Sequence, residues 1–570
     1  MKWINGIIAC SMLMAALSAC DLSTYSEEEE DSDNIAVHED STDYTWDEAD
    51  VVTITLVDNT SSVSGSGASV SGNIITVSQP GTYSFSGTLS NGQILVNATD
   101  SGVVRLILDG VTITTASSSP VYIKNATKAI IILADNSDNT LTDGTSYVYD
   151  DATEEEPNAT IFSKENLTIY GSGALTIKGN FNDGINSKDG LVIRGGYLNI
   201  TATDDGIRGK DYLYIAEATL TVKAGGDGLK SDEEEDTSRG YIVIDSGIMN
   251  ITSSGDAITA QSNLTINDGT FTLTSGGGSN YTVNSSASAK GIKGLATLTI
   301  NDGTFTISTA DDALHTNGTL SITGGTMAIS AADDGLHAET SVTVDDGVIT
   351  IAKSYEGVES KLITINGGTI SVTATNDAIN ATAGTTSGGT EQNDGSYFYM
   401  YGGTLVASCS KGDAIDSNGS FLMTGDTIIA HGPSSQPEEA VDINGSFTMK
   451  GGYFVGAGPY SNMFKTMSSS STQRNLAIVN SKSSSSASTL IHIQDASGNN
   501  IVTFKPSRAS ATILFSSADL ETGVTYSLYT GGTCTGTLSN GLYSDGTYSG
   551  GTLKKSFTLS TSGTVTSVSL

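Results

Sequence analysis

The chain has 570 residues, 65 glycines, only 7 prolines and a formal charge of −37. Ser, Thr, Asn and Asp alternate with Ile, Val, Leu and Phe, which is strand-and-turn chemistry and argues against a helical architecture. The charge excludes nucleic acid as a partner, because a phosphate backbone would be repelled, and points to cations or to a well-solvated surface.

The first segment is Lys2, an apolar run from Ile4 to Leu17, and Leu17-Ser18-Ala19-Cys20. This predicts a secretory signal peptide over 1–20, too short for a membrane span. The small residues ending at Cys20 resemble the lipobox of bacterial lipoproteins. That resemblance implies lipidation of Cys20, a membrane held through that anchor, and a cell-envelope location at the outer surface. Residues 21–50 include Glu27 to Asp31 and further acids. So acidic a run cannot bury enough apolar surface to fold and predicts a solvated tether. Of the 4 cysteines, Cys10 leaves with the signal and Cys20 carries the lipid. Cys409 and Cys534 are too few for a disulfide framework, and no required bridge is expected.

Residues 51–455 are organised by a repeat. "LVIRGGYLNI" from Leu191, "LTINDGTFTL" from Leu264, "LSITGGTMAI" from Leu320 and "FTMKGGYFVG" from Phe447 are copies of one unit, two alternating strands around a glycine turn. Between copies falls an acidic step: Asp183, Asp205, Asp227, Asp256, Asp312, Asp334, Glu356, Asp377, Asp413 and Glu439. Uninterrupted steps are 22 residues apart. The interval stretches at 231–240, 276–290 and 383–395, which read as loops thrown from one corner. A unit of about 22 residues with short strands and no helix cannot close its own core, whereas stacked copies can. The expected fold is all-β, a right-handed parallel β-helix solenoid. The Ser-rich stretch and hairpin-like strands of 456–570 predict a C-terminal β cap.

In stacked coils equivalent carboxylates lie about 4.8 Å apart and repel by roughly 3.5 kcal/mol at an effective dielectric of about 20. Such a column must splay into water, take up protons or hold cations, and its hard oxygen donors suit calcium. Candidate ligands are Asp183, Asp204, Asp205 and Asp227 with the loop acids Asp232, Glu233 and Asp236; Asp311, Asp312, Asp333 and Asp334 form a second group. The competing reading is turn chemistry, in which each Asp caps its local backbone. Two residues past each Gly or Ala runs a second column: Asn186, Arg208, Lys230, Thr259, Lys293, His315, His337, Glu359, Asn380, Asp416 and Asp442. Its cations, with Lys188 and Lys210, either neutralise the acids or form a substrate groove in which Lys188, Arg208, Lys210 and Lys230 meet sugar carboxylates. His315 and His337 alone carry no metal or catalytic expectation. Aromatic stacking would rest on Tyr197, Tyr212, Tyr214 and Tyr241.

"ATIFSKENLTIYGSGALTI", "DGINSKDGLVIRGGYLNITATDDGIRGKD" and "GGDGLKSDEEEDTSRGYIVI" together resemble the bacterial carbohydrate-binding β-helix proteins whose founding members bind cellulose and polygalacturonate. The resemblance implies a pectate-lyase-like fold, bound calcium and polysaccharide at the cell surface. It implies calcium ligands at the matching steps, Asp183, Asp205, Asp227 and Asp256. Lys290 departs from the acidic pattern and predicts a break in the ladder there. Three functions follow: a monomeric polysaccharide binder, a calcium-dependent polysaccharide lyase with Arg208, Lys210 or Lys230 as base, or a structural adhesin.

Overall fold

The computed structural model describes residues 38–149, 153, 155–284, 287–384, 392–481, 484–487, 489–560 and 564–570. The predicted signal peptide, Cys20 and most of the acidic segment lie outside the described residues. The chain divides into a unit Met1–Asp40 and a unit Ser41–Leu570; the strands, the core and the acidic corner all belong to the latter. Within it the end of the predicted tether is ordered as two short 3-10 turns, Ser41–Tyr44 and Glu48–Asp50. Lys128 forms an ion pair with buried Asp43, and Arg105 Nη2 donates to the Thr42 carbonyl at 2.6 Å. These contacts fasten the segment to the strands.

The fold is all-β, with 47 strands hydrogen-bonded into one largely parallel sheet. From Ala159 the pattern is regular: each strand pairs in parallel with the strand three elements further along, or two where Leu336–Val344 and Val358–Ile365 each run through two ladders. Asp183–Ser187 pairs with Ile207–Gly209, Gly190–Arg194 with Tyr212–Ala216, and Tyr197–Ala202 with Ala218–Ala224. One repeat therefore supplies one strand to each of three ladders. Alternation decides which side chains point inward, since successive residues of a strand face opposite ways. Leu198, Ile200 and Ala202 are buried while Tyr197, Asn199 and Thr201 are exposed.

The inward residues are in register from copy to copy. In the ladder of short strands beside the acidic step, Ile185, Ile207, Leu229, Ile258, Ile292, Leu314, Leu336, Val358 and Ile379 follow one another. In the other ladders Phe271 stacks on Phe305 at 4.7 Å and Phe398 on Phe421 at 4.8 Å, close to the strand spacing of about 4.8 Å. All belong to one continuous apolar core. Each such side chain contributes roughly 1.5–3 kcal/mol by burial, so the ladders are held chiefly by stacking between repeats.

The three insertions do not leave one corner, as the sequence suggests. Residues 232–240 and 382–396 follow a short strand of the acidic-step ladder, whereas 276–291 precede one. They flank that ladder on both sides because the first and third lengthen the connection that follows it and the second lengthens the one that precedes it. At the far end the pairing changes hand. Tyr453–Gly458, the last strand of the repeats, is met antiparallel by Thr512–Ser516, which also pairs antiparallel with Asn475–Val479; that strand in turn pairs in parallel with Val565–Ser569. Ile491–Asp495, Asn500–Phe504 and Thr525–Thr530 belong to a separate six-stranded antiparallel sheet. A second core lies between it and the large sheet, with Ile493, Phe504 and Leu528 from the one and Val406, Ile429, Val455 and Phe515 from the other. Cys409 and Cys534 are both free, and the buried Cys409 thiol donates to the Gly412 carbonyl at 2.9 Å.

Candidate functional site

The acidic step acts as a clasp between neighbouring repeats. The amide following each step residue donates to the backbone carbonyl of the next step residue: Gly184 to Asp205 (3.0 Å), Gly206 to Asp227 (2.8 Å), Gly228 to Asp256 (2.9 Å). In return, the amide of the next step residue donates to the carboxylate before it. Asp205 N reaches Asp183 Oδ1 at 3.2 Å, Asp227 N reaches Asp205 Oδ1 at 2.8 Å, and Asp256 N reaches Asp227 Oδ1 at 2.8 Å. The same bond runs from Asp334 N to Asp312 Oδ1 (3.0 Å), Glu356 N to Asp334 Oδ1 (3.2 Å) and Asp413 N to Asp377 Oδ1 (2.6 Å). Backbone approach is close here: a Cβ on Gly184 would lie 2.6 Å from the Gly206 carbonyl oxygen. Turn chemistry is thus part of the answer, but the amide capped belongs to the next repeat rather than to the acid's own turn.

Lys290 shows what the clasp requires. Its amide still takes Asp256 Oδ1 at 2.7 Å, but it has no carboxylate to offer onward. The Asp312 amide turns to its own neighbour, Asp311 Oδ1, at 3.0 Å. The Lys290 ammonium bridges Asp311 (2.9 Å) and Asp312 (2.7 Å). The ladder of backbone bonds continues through this position; the ladder of carboxylates does not.

One oxygen of each clasping aspartate is left for the outward face, where the second column meets it. That column is in register throughout: Arg208 beside Lys230, Lys230 beside Thr259, Lys293 beside His315, His315 beside His337, His337 beside Glu359, Glu359 beside Asn380, Asn380 beside Asp416, and Asp416 beside Asp442. Lys230 reaches Asp205 (3.0 Å) and Asp227 (2.9 Å), and Lys293 reaches Asp256 (3.5 Å). His315 and His337 bond Asp312 (2.8 Å) and Asp334 (2.9 Å) through Nδ1.

The cations predicted to face substrate are already paired. Arg208 makes a forked contact with Asp232, at 3.0 Å from Nε and 2.6 Å from Nη2. Lys210 pairs with Glu233 at 2.7 Å and Lys188 with Glu156 at 2.8 Å. Burial alone would lower the pKa of Arg208 and Lys230, but the facing carboxylates outweigh it and raise both. Of the predicted metal ligands, Asp183, Asp204 and Asp205 come together, with one oxygen each inside a 4.8 Å span, as do Asp311, Asp312 and Asp333. Asp227, Asp232 and Asp256 are engaged by Lys230, Arg208 and Lys293, and Asp236 by Arg239; within the trios Asp205 also meets Lys230, and Asp311 and Asp312 meet Lys290. The first trio keeps an excess of negative charge: burial, then Asp205, pushes the Asp183 pKa up to about 7. Beside it the buried Asn186 donates to Asp183 Oδ2 at 2.8 Å, and its own Oδ1 has no hydrogen-bond partner. The donors here are all hard oxygens, the set that calcium prefers.

Beyond His337 the column carries no cation until Lys465, which lies 3.4 Å from Asp442. Glu356, Glu359, Asp377, Asp413, Asp416 and Asp442 crowd about Asn380. Burial, followed by neighbouring acids, raises the pKa of Asp377 to about 7 and holds Asp413 and Asp416 well above the ordinary carboxylate range. Burial and Glu356 raise Glu359 likewise.

Two clefts open along this corner. One of about 600 Å³ is lined by Lys290, Asp311, Asp333 and Tyr355 among others. The next, about 660 Å³, is lined by Tyr355, Glu356, Glu359, Asp377, Asp416 and Asp442 among others. Tyr355 belongs to both and is 49 % exposed. The sequence did carry a signal for it. Tyr355 precedes the step acid Glu356, in line with Asp333 and Asn376 before theirs. The expected tyrosines are less suited. Tyr212 and Tyr241 stack on each other at 5.7 Å and Tyr214 is bonded to Asp245; Tyr197 is exposed but lines neither cleft. Tyr397, Tyr399 and Tyr401 stack face to face at 4.8 and 5.5 Å, which covers both faces of Tyr399; the two outer rings are exposed but line neither cleft.

Residues 71–335 match the model of a family described as carbohydrate-binding domain-containing proteins. A carbohydrate-binding domain-containing protein of Acetivibrio thermocellus is 46 % identical over 136 residues, covering 24 % of this chain and 48 % of the relative. The chain thus spans about half the length of the curated relative it matches. A solved structure of a polysaccharide lyase-like protein from C. thermocellum, a gadolinium derivative, is similar at 31 % identity with a TM-score of 0.39, over 48 % of this chain and 96 % of that one.

Proposed function

We propose that this protein is a surface-anchored binder of cell-wall polysaccharide, built as a right-handed parallel β-helix that holds the sugar chain along its acidic corner through calcium. The observation that carries the reading is the match of residues 71–335 to a carbohydrate-binding family model, since most of the acidic steps lie in that stretch. The pairing interval of three strands per 22-residue repeat supports the coil. Tyr355 supports the location: an exposed ring between two clefts can take a sugar face while acids on either side bond hydroxyls. Between the two substrate classes, polygalacturonate is favoured over cellulose, because a corner with excess carboxylates can hold a uronate only through a shared cation, and it has those carboxylates in place. Asp183, Asp204 and Asp205, with the unpartnered Asn186 oxygen, would hold calcium, which supplies a bridge between protein and sugar oxygens. Anchoring would be through Cys20, with the monomer facing outward.

The lyase reading fits less well. A base that removes a proton next to a uronate carboxylate must be neutral at the working pH. Arg208, Lys210 and Lys230 are each ion-paired to carboxylates that favour the protonated form.

Electrophoresis of the purified protein through gels containing polygalacturonate tests the proposal. Retardation is expected with calcium and is expected to vanish with a chelator. Equal mobility in all gels would remove the pectin reading and leave cellulose, tested by pull-down, or an adhesin. Retardation that ignores the chelator would remove calcium.

A further inference from the structure

Two imidazoles stand out in the column because a lysine would serve their neighbours equally well as a counter-charge. His315 and His337 are in register on adjacent strands, with ring centroids 5.0 Å apart and planes inclined by 28°. Their side chains are 13 % and 19 % exposed. Each points Nδ1 at the outward oxygen of its own step acid, Asp312 at 2.8 Å and Asp334 at 2.9 Å. An ionised carboxylate only accepts, so Nδ1 carries the hydrogen and the lone pair of the neutral ring sits on Nε2. Both rings are thereby fixed in one tautomer by a buried carboxylate, the arrangement that orients histidine ligands in metal sites.

What faces the two Nε2 atoms is also unlike the lysine positions. The residue two further along each strand supplies an oxygen: Asn317 Oδ1 lies 3.1 Å from His315 Nε2, and Glu339 Oε1 lies 3.9 Å from His337 Nε2. The His337–Glu339 separation is somewhat longer than the edge of about 3.3 Å that a tetrahedral ion with bonds of about 2.0–2.1 Å requires. At Lys293 the corresponding residue is Leu295, which offers nothing, and at Lys230 it is Asp232, which Arg208 already holds. Glu339 is 62 % exposed and can pivot inward.

We propose that His315, His337 and Glu339 form a site for a borderline divalent transition ion of the zinc class, bound through the two Nε2 atoms and the Glu339 carboxylate, with Asp312 and Asp334 as positioning residues. Two nitrogen donors favour zinc, nickel or copper over calcium, which takes oxygen. The site is separate from the polysaccharide reading and stands or falls without it.

Calorimetric titration of the full chain with zinc, and the visible spectrum of the cobalt-loaded protein, test it. Wild type is expected to bind one zinc per chain at this site and to give cobalt bands typical of nitrogen and oxygen ligation. A large excess of calcium should not displace either ion. His315→Lys and His337→Lys introduce the residue type that the same column carries at 230 and 293, so Asp312 and Asp334 keep a cation while the imidazole is lost. Each is expected to weaken zinc at least tenfold and to abolish the cobalt bands. Asp334→Asn should weaken zinc by roughly ten- to a hundredfold. Glu339→Gln removes an exposed ligand without disturbing the clasp and covers the case in which a lysine variant fails to fold. Its expected effect is also a tenfold loss. Zinc affinity unchanged in the lysine variants or in Glu339→Gln, displacement by calcium, or no zinc binding by wild type would overturn the assignment.

Discussion

The repeats from Asp183 to His337 and those from Glu356 to Asp442 share one backbone device and differ in what meets its outward oxygen. In the first group the clasping acids face Lys230, Lys290, Lys293, His315 and His337. Burial would raise the Asp312 pKa, yet His315 and Lys290 hold it well below the usual range. In the second group acids face acids, and proton affinities rise. Cations therefore close most of the clasps in one half, except at Asp183 and Asp334, where burial and neighbouring acids also raise the proton affinity, whereas the other half is left open. The lesson is that the step aspartates are structural through one oxygen and functional through the other, so the identity of the second-column residue decides what each step can bind.

The comparison breaks most clearly if neutralisation in the two halves has the same sign. Lys230→Ala leaves Asp205, 5 % exposed, and Asp227 facing one another without their cation. It is expected to destabilise by about 2–3 kcal/mol in urea unfolding, below the full cost for a wholly buried pair because Lys230 itself is partly exposed. Asp416→Asn in the other half should instead stabilise the calcium-free protein at pH 8 by about 1 kcal/mol, since it removes one of several crowded charges. Two losses, or two gains, would show that the halves are alike.

A smaller effect sharpens the functional side. Tyr355→Ala touches no clasp and should change stability by less than about 0.5 kcal/mol. It should weaken polysaccharide binding roughly tenfold, or about 1.4 kcal/mol, in the same gels. Tyr197→Ala, also exposed but outside both clefts, should leave mobility unchanged. If Tyr197 matters and Tyr355 does not, the sugar lies on another face.

Much of this architecture was legible because spacing survives folding. A 22-residue interval places Arg208 beside Lys230, and His315 beside His337, whatever the local detail, so the second column could be written down from sequence alone. Lys290 could be recognised as a departure, although not that its amide keeps the clasp while its ammonium moves to the next repeat. Contacts made by inserted segments were beyond reach: Asp232 and Glu233 sit in a loop whose path no periodicity dictates, and they turned out to neutralise Arg208 and Lys210. Nor does spacing say which carboxylate oxygen meets an amide, and it is that division which gives His315 and His337 their fixed tautomer. The antiparallel tail, where pairing partners such as Gly456 and Leu514 are far apart in the chain, lacks a repeat from which register could be read.

The central claim is that the acidic corner is completed by a cation, and thermal unfolding at pH 5 and pH 8, with calcium and with chelator, tests it most directly. Asp183, Asp377 and Glu439 have folded-state pKa values of about 7, above their unfolded values. Between those values the folded protein binds more protons, so their contribution is fully present below the unfolded pKa and is lost as pH rises through 7. Asp312, shifted the other way, has completed its change below pH 5. Without calcium the Tm should fall from pH 5 to pH 8. Calcium at about a hundred times its Kd should restore roughly 2.7 kcal/mol at pH 8 and less at pH 5, where protons occupy the same oxygens. A Tm at pH 8 that is the same with calcium as with chelator would contradict the account.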